Sequence, residues 1–372
     1  MSLILIAAFL LSVLITWLLI PRIIHFAFKK ELFDKPDERK IHHGAVPRLG
    51  GLTFFPVSMF AIAVLVSVIT LFAPSSSMAF WNSGAWITTH WEKLVMAFCA
   101  AMILYVFGVA DDLTGVRYRN KFISQIVAGL LMCMSGLWLD NLHGIAGLHE
   151  LNQYLGWPIT IFAVVFITNA INFIDGIDGL ASGLCSIGLL YYGTLLAIGG
   201  KAGYSLLAFA VLGAVLAFMW FNLHGTAEKK NKIFMGDTGS LFLGLLLSGL
   251  GVSLNRVADG NTLGCNAFAV AFAPLIVPCF DVLRVVLHRV RHKKSPFKPD
   301  KNHLHHKFMA LGFTQRQVLV IILLMSVGMI VFSNTMSIVL NVNLLLIVDM
   351  IVWMTLNYLI CGKIKKLKKI MI

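Results

Sequence analysis

The sequence predicts an all-α, polytopic integral membrane protein, on three observations. Of the 372 residues, 58% are hydrophobic and only 13% charged, and the mean hydropathy of +0.85 lies well outside the range of soluble globular domains. Windows of about 17 to 25 apolar residues, the length that crosses a hydrocarbon core, recur through the chain. About eleven fall near 2–21, 49–73, 93–110, 122–138, 158–174, 179–199, 204–221, 238–254, 265–287, 317–333 and 342–360. The third observation is the sidedness of charge. Apart from Lys93, Lys201 and Arg256, all 30 Lys and Arg residues fall in five alternate connections, and the positive-inside rule puts those connections and the C-terminus in the cytoplasm. An odd number of spans places the N-terminus in the periplasm. The net charge of +13 therefore reports membrane orientation and not nucleic-acid binding.

Each element follows from its local pattern. The first window lacks a basic leader and a small-residue cleavage site, so it reads as a retained helix and not a signal peptide. Trp81, Trp86, Trp91, Trp138 and Trp157 cluster at the outer connections, where an aromatic belt anchors helices. Six cysteines, Cys99, Cys133, Cys185, Cys265, Cys279 and Cys361, lie mostly within spans without paired spacing and read as small apolar fillers. No repeat or linker divides the chain. Residues 1–372 form one integral domain, whose cytoplasmic loops near 22–48, 111–121, 175–178, 222–237 and 288–316 form the site.

The acidic residues are few enough to follow one by one. Asp111 and Asp112 end the third span; Asn169, Asn172, Asp175 and Asp178 follow one another at three-residue steps at the end of the fifth; Asp237 opens the eighth in Gly236-Asp237-Thr238-Gly239-Ser240. A carboxylate at the centre of a membrane helix costs roughly 2.5 to 3.5 kcal/mol, and less near the interface, so a cluster at span ends marks a site. Steps of three on a helix drift across one side, and a tightened end aligns them. Carboxylates gathered at one membrane face repel one another. Oxygen ligands suit Mg²⁺, with Mn²⁺ as the alternative, rather than zinc, and Mg²⁺ commonly completes its shell with substrate phosphates.

Basic groups for phosphate lie on the same side: Lys40, Arg117, Arg119, Lys121 and the segment from Arg289 to Lys307. His303, His305 and His306 are too close together to find a fourth zinc ligand, and flanking lysines repel a cation, so they read as phosphate contacts. Phe234 stacks on a nucleobase or fills the core; the sequence permits both. The asparagines offer amide groups to a uracil or a sugar, and the aspartates take a metal or a base edge. Asp281 pairs with Arg284 at i+3, and Asp349, mid-span, is structural or snorkels.

Val109-Ala110-Asp111-Asp112, the run from Asn169 to Gly179, Met235-Gly236-Asp237-Thr238-Gly239-Ser240 and His303-Leu304-His305-His306 together resemble the polyprenyl-phosphate N-acetylhexosamine-1-phosphate transferase family over nearly the whole chain. Ser295-Pro296-Phe297 with Pro299-Asp300 before the histidines looks like the WecA branch, which begins enterobacterial common antigen and lipopolysaccharide O-antigen assembly. The resemblance implies a Mg²⁺-dependent enzyme of the bacterial inner membrane with its site on the cytoplasmic face. It would move N-acetylglucosamine 1-phosphate from UDP-N-acetylglucosamine to undecaprenyl phosphate, releasing UMP.

The resemblance also implies roles. Asp237 would be the principal metal ligand with Asp112 nearby, Asp111 the base, and His303 a fourth member of the catalytic set. Asn172 and Asp178 would read uridine, with Asp175 near metal or nucleotide and Phe234 in the nucleotide pocket. Lys40, Lys121, Arg289, His303, His305 and His306 would hold phosphates, with Arg291 as an equal to Arg289. A homodimer is an allowed assembly, with no interface legible in the spans. Competing readings are a family member with another donor, such as UDP-N-acetylmuramoyl-pentapeptide, a nucleotide-sugar transporter, and a CDP-alcohol phosphotransferase. Transporters place charge near the midplane in broken helices, and the Asp-Gly-x-x-Ala-Arg signature of the last class is absent.

Overall fold

Membrane burial forces every backbone polar group to find a partner within its own segment, and helices are the outcome. The computed structural model describes residues 2–33, 45–72, 91–257, 266–293, 295 and 302–370. In chain order they form α1 (Ser2–Lys29), a 3₁₀ turn (Gly50–Thr53), α2 (Phe54–Phe72), α3 (Trp91–Thr114), α4 (Tyr118–Met134), strands β1 (Asn141–Ile145) and β2 (Leu148–Glu150), and α5 (Gln153–Ile174). There follow α6 (Leu180–Ile198), α7 (Ala202–His224), α8 (Gly236–Val257), α9 (Ala267–Phe272) running through a 3₁₀ turn into α10 (Ile276–Arg291), then α11 (Leu304–Ala310), α12 (Gln315–Met336) and α13 (Val342–Ile370).

Ten helices among the described residues are long and apolar enough to cross a membrane. The window expected near 122–138 is the exception to the count of eleven. It corresponds to α4, whose 17 residues open on Tyr118-Arg119-Asn120-Lys121 and stand at the short end of the range that crosses a bilayer. Its polar first turn is drawn into the site described below. A second departure is the antiparallel hairpin of β1 and β2, which pairs Asn141 with Glu150 and Ile145 with Leu148. Asn343 clasps it from α13, accepting from Ala146 N and donating to Gly144 O, each at 2.8 Å.

The hub is α8. Its apolar window is 83% buried against 17% for α3, and it packs on α3, α5, α6 and α9. Small residues in Gly236-Asp237-Thr238-Gly239-Ser240 and the glycines beyond let neighbouring backbones approach closely, the usual means of packing helices in lipid. The two ends carry opposite charges. Asp237 lies in the first turn, where the helix dipole favours an anion, and Arg256 in the last, where it favours a cation. Arg256 donates to Gly136 O and Trp138 O and pairs with Asp140 at 2.8 Å, so it ties α8 to the segment leading into the hairpin.

Other sequence features resolve structurally. Among the described residues the cysteines 99, 133, 185, 279 and 361 are free thiols; Cys265, Trp81 and Trp86 lie outside those residues. Asp349 does not snorkel. It is 1% exposed and accepts from Ser333 Oγ at 3.1 Å, which joins α13 to α12. It also borders an apolar cavity of about 370 Å³ walled by Phe162, Phe166, Ile167, Phe272 and Phe280.

Candidate functional site

Six helix ends meet at one end of the bundle: the C-termini of α3, α5 and α10 and the N-termini of α4, α8 and α11. Asp111 and Asp112 are adjacent in the last turns of α3, so they point in different directions and do different work. Asp112 turns onto the start of α8. Its Oδ1 accepts from Asp237 N at 2.7 Å, and its Oδ2 accepts from Thr238 N at 2.9 Å and Thr238 Oγ1 at 2.6 Å. It is an N-cap supplied by another helix, and it satisfies donors that would otherwise be orphaned.

The approach is tight at Gly236. That residue has φ +74°, and a β-carbon there would meet Arg48 O and the Asp112 carboxylate, so only glycine fits. The same junction is held from the other side. Phe234 N donates to Pro47 O, Gly50 N to Phe234 O and Gly51 N to Met235 O, at 2.8 to 2.9 Å.

Asp111 faces the cleft. Its Oδ1 accepts from Val116 N and its Oδ2 lies 3.3 Å from Lys121 Nζ. Lys121 also reaches Asp237 Oδ2 at 2.6 Å. Asp237 Oδ1 accepts from Asn172 Nδ2, which also bonds Ser240 Oγ at 2.8 Å. Two carboxylates from α3 and α8 thus bracket one cationic nitrogen from α4, with an amide from α5 fixing the second oxygen of Asp237.

The three-residue series does not continue along one helix face. Asn169 is buried and exchanges hydrogen bonds with Gln125 on α4, at 2.6 and 3.4 Å, which makes it a clasp between spans. Asn172 joins Asp237. Helix α5 then ends at Ile174 with Asp175 as its C-cap. Asp175 keeps an open edge to solvent, yet protein encloses the rest of the carboxyl. Burial raises its pKa to about 7, Asp237 and Asp178 push in the same direction, and Arg48 opposes them.

Asp178 sits on the turn into α6 and pairs with Lys232 at 2.6 Å. The Lys232 ammonium in turn lies 5.6 Å from the Phe234 ring centroid, a cation–π distance. Asn222 secures this corner. It accepts from Gly179 N at 2.7 Å and donates to Ile233 O at 2.9 Å, so one buried amide fixes the Asp178 turn to the Phe234 segment.

The histidine segment reaches the same place. His303 is the N-cap of α11, and its ring lies parallel to that of His305 at 5.9 Å and 6.4 Å from Phe173. His305 is 2% exposed, and neither of its ring nitrogens has a partner. Burial first, then His306 and His303, push its pKa down to about 3, so it is a neutral ring and supplies no positive charge to a phosphate. His306 lies beside it, 4.2 Å between centroids. Arg289 is buried at the end of α10, 4% exposed, whereas Arg291 is exposed. Lys40 lies outside the described residues.

Asp281 pairs with Arg284 at 2.8 Å, as the spacing suggests. It also does more, because its other oxygen meets His303. Sequence reasoning missed Arg48, Asn222, Lys232 and the full reach of Asp281. Lys232 was visible only as part of a basic loop, and Asn222 only as a lone amide at the end of an apolar helix.

Among the described residues no three His, Cys, Asp or Glu side chains converge as a closed metal cage. The arrangement suits a different coordination style. Asp111 and Asp237 already converge on one cationic centre, the Lys121 ammonium. Two carboxylates with room for water and phosphate oxygens are the donor set that Mg²⁺ accepts.

The sequence has counterparts among known proteins. The model of glycosyl transferase family 4 matches residues 94–255, the stretch that carries Asp111, Asp112, Lys121, Asn172, Asp175, Asp178, Phe234 and Asp237. The chain is 34% identical over 324 residues to a probable undecaprenyl-phosphate N-acetylglucosaminyl 1-phosphate transferase of Bacillus subtilis (strain 168), covering 86% of this chain and 81% of that protein. It is 31% identical over 300 residues to the undecaprenyl-phosphate alpha-N-acetylglucosaminyl 1-phosphate transferase of Yersinia pestis, covering 80% and 75%. The Escherichia coli (strain K12) protein of the same name is 30% identical over 311 residues, covering 82% and 77%. Relatives aligned over most of both chains, and a family match that holds the acidic cleft, make this protein a member of glycosyl transferase family 4.

Proposed function

We propose that this protein transfers N-acetylglucosamine 1-phosphate from UDP-N-acetylglucosamine to undecaprenyl phosphate, releasing UMP. The observation that carries this reading is the convergence of Asp111, Lys121, Asn172 and Asp237 from four helices at one end of the bundle. The names of the relatives support the choice of acceptor and sugar.

An oxygen of the acceptor phosphate attacks the phosphorus bonded to the sugar. The bond from that phosphorus to the bridging oxygen breaks, and UMP leaves with the electron pair. A phosphate monoester is already a competent nucleophile, so direct attack needs alignment more than covalent catalysis. Asp111 takes the acceptor's remaining proton. Lys121, between Asp111 and Asp237, would donate hydrogen bonds to the diphosphate and offset its charge, and His303, His306 and Arg289 would be further phosphate contacts. Asn172 and Asp178 orient the nucleotide against Phe234. Asp237 would hold Mg²⁺ with Asp111 beside it, while Asp112, both of whose oxygens cap α8, would brace Asp237 rather than ligate; the metal would supply neutralisation of the diphosphate charge.

The polyprenyl tail stays in the bilayer because each buried CH₂ contributes about 0.8 kcal/mol. The apolar cavity beside α5 and α10 gives it a wall, since those two helices also carry Asn172 and Asp281. The positive-inside distribution of the basic loops supports a cleft on the cytoplasmic side, and the odd count of spans read from the sequence supports an N-terminus in the periplasm; the relatives' bacterial origin supports the inner membrane as the setting. The product fits the first membrane step of enterobacterial common antigen or O-antigen assembly.

The test is UMP release from detergent-solubilised protein, with a panel of UDP-sugars that includes UDP-N-acetylmuramoyl-pentapeptide. Turnover is expected with UDP-N-acetylglucosamine, and only when undecaprenyl phosphate and a divalent cation are both present. UMP release without the lipid, or a preference for another sugar, would overturn the assignment.

A further inference from the structure

Asp281 is a carboxylate inside the apolar stretch of α10, fully shielded from solvent at 0% exposure. A charge placed there needs compensation, and three partners supply it. Oδ2 accepts from His303 Nδ1 at 2.8 Å, while Oδ1 accepts from Leu304 N at 3.1 Å and from Arg284 at 2.8 Å. Arg284 continues to Asn302 O at 2.6 Å. The partners on the other element are consecutive residues, 302 to 304, at the start of α11.

Two consequences follow from chemistry. The carboxylate caps α11, because His303 makes no side-chain cap of its own and Leu304 N is one of the helix's orphan donors. An ionised carboxylate only accepts, so the His303 nitrogen facing it carries the proton. Nδ1–H is thereby fixed toward Asp281, and Nε2 is the nitrogen left for a ligand. The ring is held from its faces as well, with His305 stacked parallel at an interplanar angle of 7° and Phe173 to one side.

We propose that Asp281 is the positioning residue of His303, fixing the aim of its ring and stabilising its cationic form so that Nε2–H donates to the donor's diphosphate. This rests on the transferase reading above. Asp281 touches no substrate. It acts on the reaction through one imidazole.

The experiment is a double-mutant cycle of Asp281 with His303 in purified full-length protein, using radiolabelled UDP-N-acetylglucosamine and undecaprenyl phosphate. Asp281→Asn keeps the size of the side chain but offers an amide where a second acceptor is needed, and Asp281→Glu keeps the charge but moves it. Either substitution is expected to lower kcat/KM by about ten-fold or more, equivalent to about 1.4 kcal/mol. In a His303→Gln background the same substitution is expected to change it by less than about two-fold, because residues acting through one group are not additive.

Equal losses in both backgrounds overturn the proposal and leave Asp281 a structural cap alone. The cycle is read from whichever Asp281 variant elutes as a monodisperse peak; if neither folds, a structural role is sufficient and the proposal also fails. Wild-type turnover is measured alongside. Its absence refutes the transferase reading, whereas its presence with equal losses refutes only the positioning role.

Discussion

The imidazole of His305 lies against Gly176, in the space that a β-carbon at residue 176 would occupy. This contact locks the histidine segment onto the turn between Asp175 and Asp178. Gly176 does not adopt a positive φ; what it supplies is the missing side chain. Gly176→Ala is therefore expected to lower the thermal midpoint and cut kcat/KM, with an overpacking cost of about 1 to 3 kcal/mol. The double variant with His305→Ala should regain most of the stability lost. Absence of that recovery in a melting experiment would show that the ring and the glycine do not share this space in solution.

Asp237 bonds Lys121 and Asn172 at once. Asp237→Asn keeps the shape and removes the charge. It is expected to reduce turnover by more than about ten-fold, about 1.4 kcal/mol in barrier, while the protein still elutes as a folded species. Chelation of wild-type protein with EDTA should abolish UMP release, and Mg²⁺ or Mn²⁺ should restore it. Turnover that persists in EDTA removes the metal from the mechanism.

The carboxyl of Asp175 has its pKa raised to about 7, first by burial and then by Asp237 and Asp178. A carboxyl whose folded pKa is raised favours folding while protonated, and that contribution disappears as pH rises through the folded pKa. In chelated protein the thermal midpoint should fall between pH 5 and pH 8, about the interval that ends just above this value. Asp175→Asn should flatten that slope and be the more stable protein at pH 8. An unchanged slope would assign the pH dependence to other groups.

Ala163 and Ile167 border the apolar cavity one turn apart on α5. Ala163→Trp fills that space without touching the acidic cleft. It is expected to raise the KM for undecaprenyl phosphate several-fold, on the order of 1 kcal/mol of lost apolar contact, and to leave the KM for UDP-N-acetylglucosamine unchanged. Initial-rate measurements with each substrate varied separately decide between this and a general packing defect, which would move both.

The spans were legible because a bilayer imposes a length and a composition that the chain must meet locally. Where another demand competed, the pattern misled. Helix α4 runs four residues ahead of its window because its polar first turn is drawn into the site, where Lys121 is held by Asp111 and Asp237, and the hairpin of β1 and β2 is pinned by Asn343 from some 200 residues away in the chain. The acidic residues stood out individually, since charge at the end of an apolar helix is costly enough to be conspicuous. Their division of labour did not. Asp111 and Asp112 are neighbours with the same chemistry, yet one faces Lys121 and the other caps α8.

The sequence by itself determined that this is a membrane-embedded helical bundle with its charged chemistry gathered at one end, because hydropathy and charge act residue by residue. Only the tertiary structure decided which acid meets which base: that Asn169 clasps Gln125, that Asp281 holds His303, and that His305 is buried and neutral. Those outcomes depend on distances between helices far apart in the chain. Coulomb and hydrogen-bond energies fall off over a few ångströms, so spacing along a sequence does not encode them.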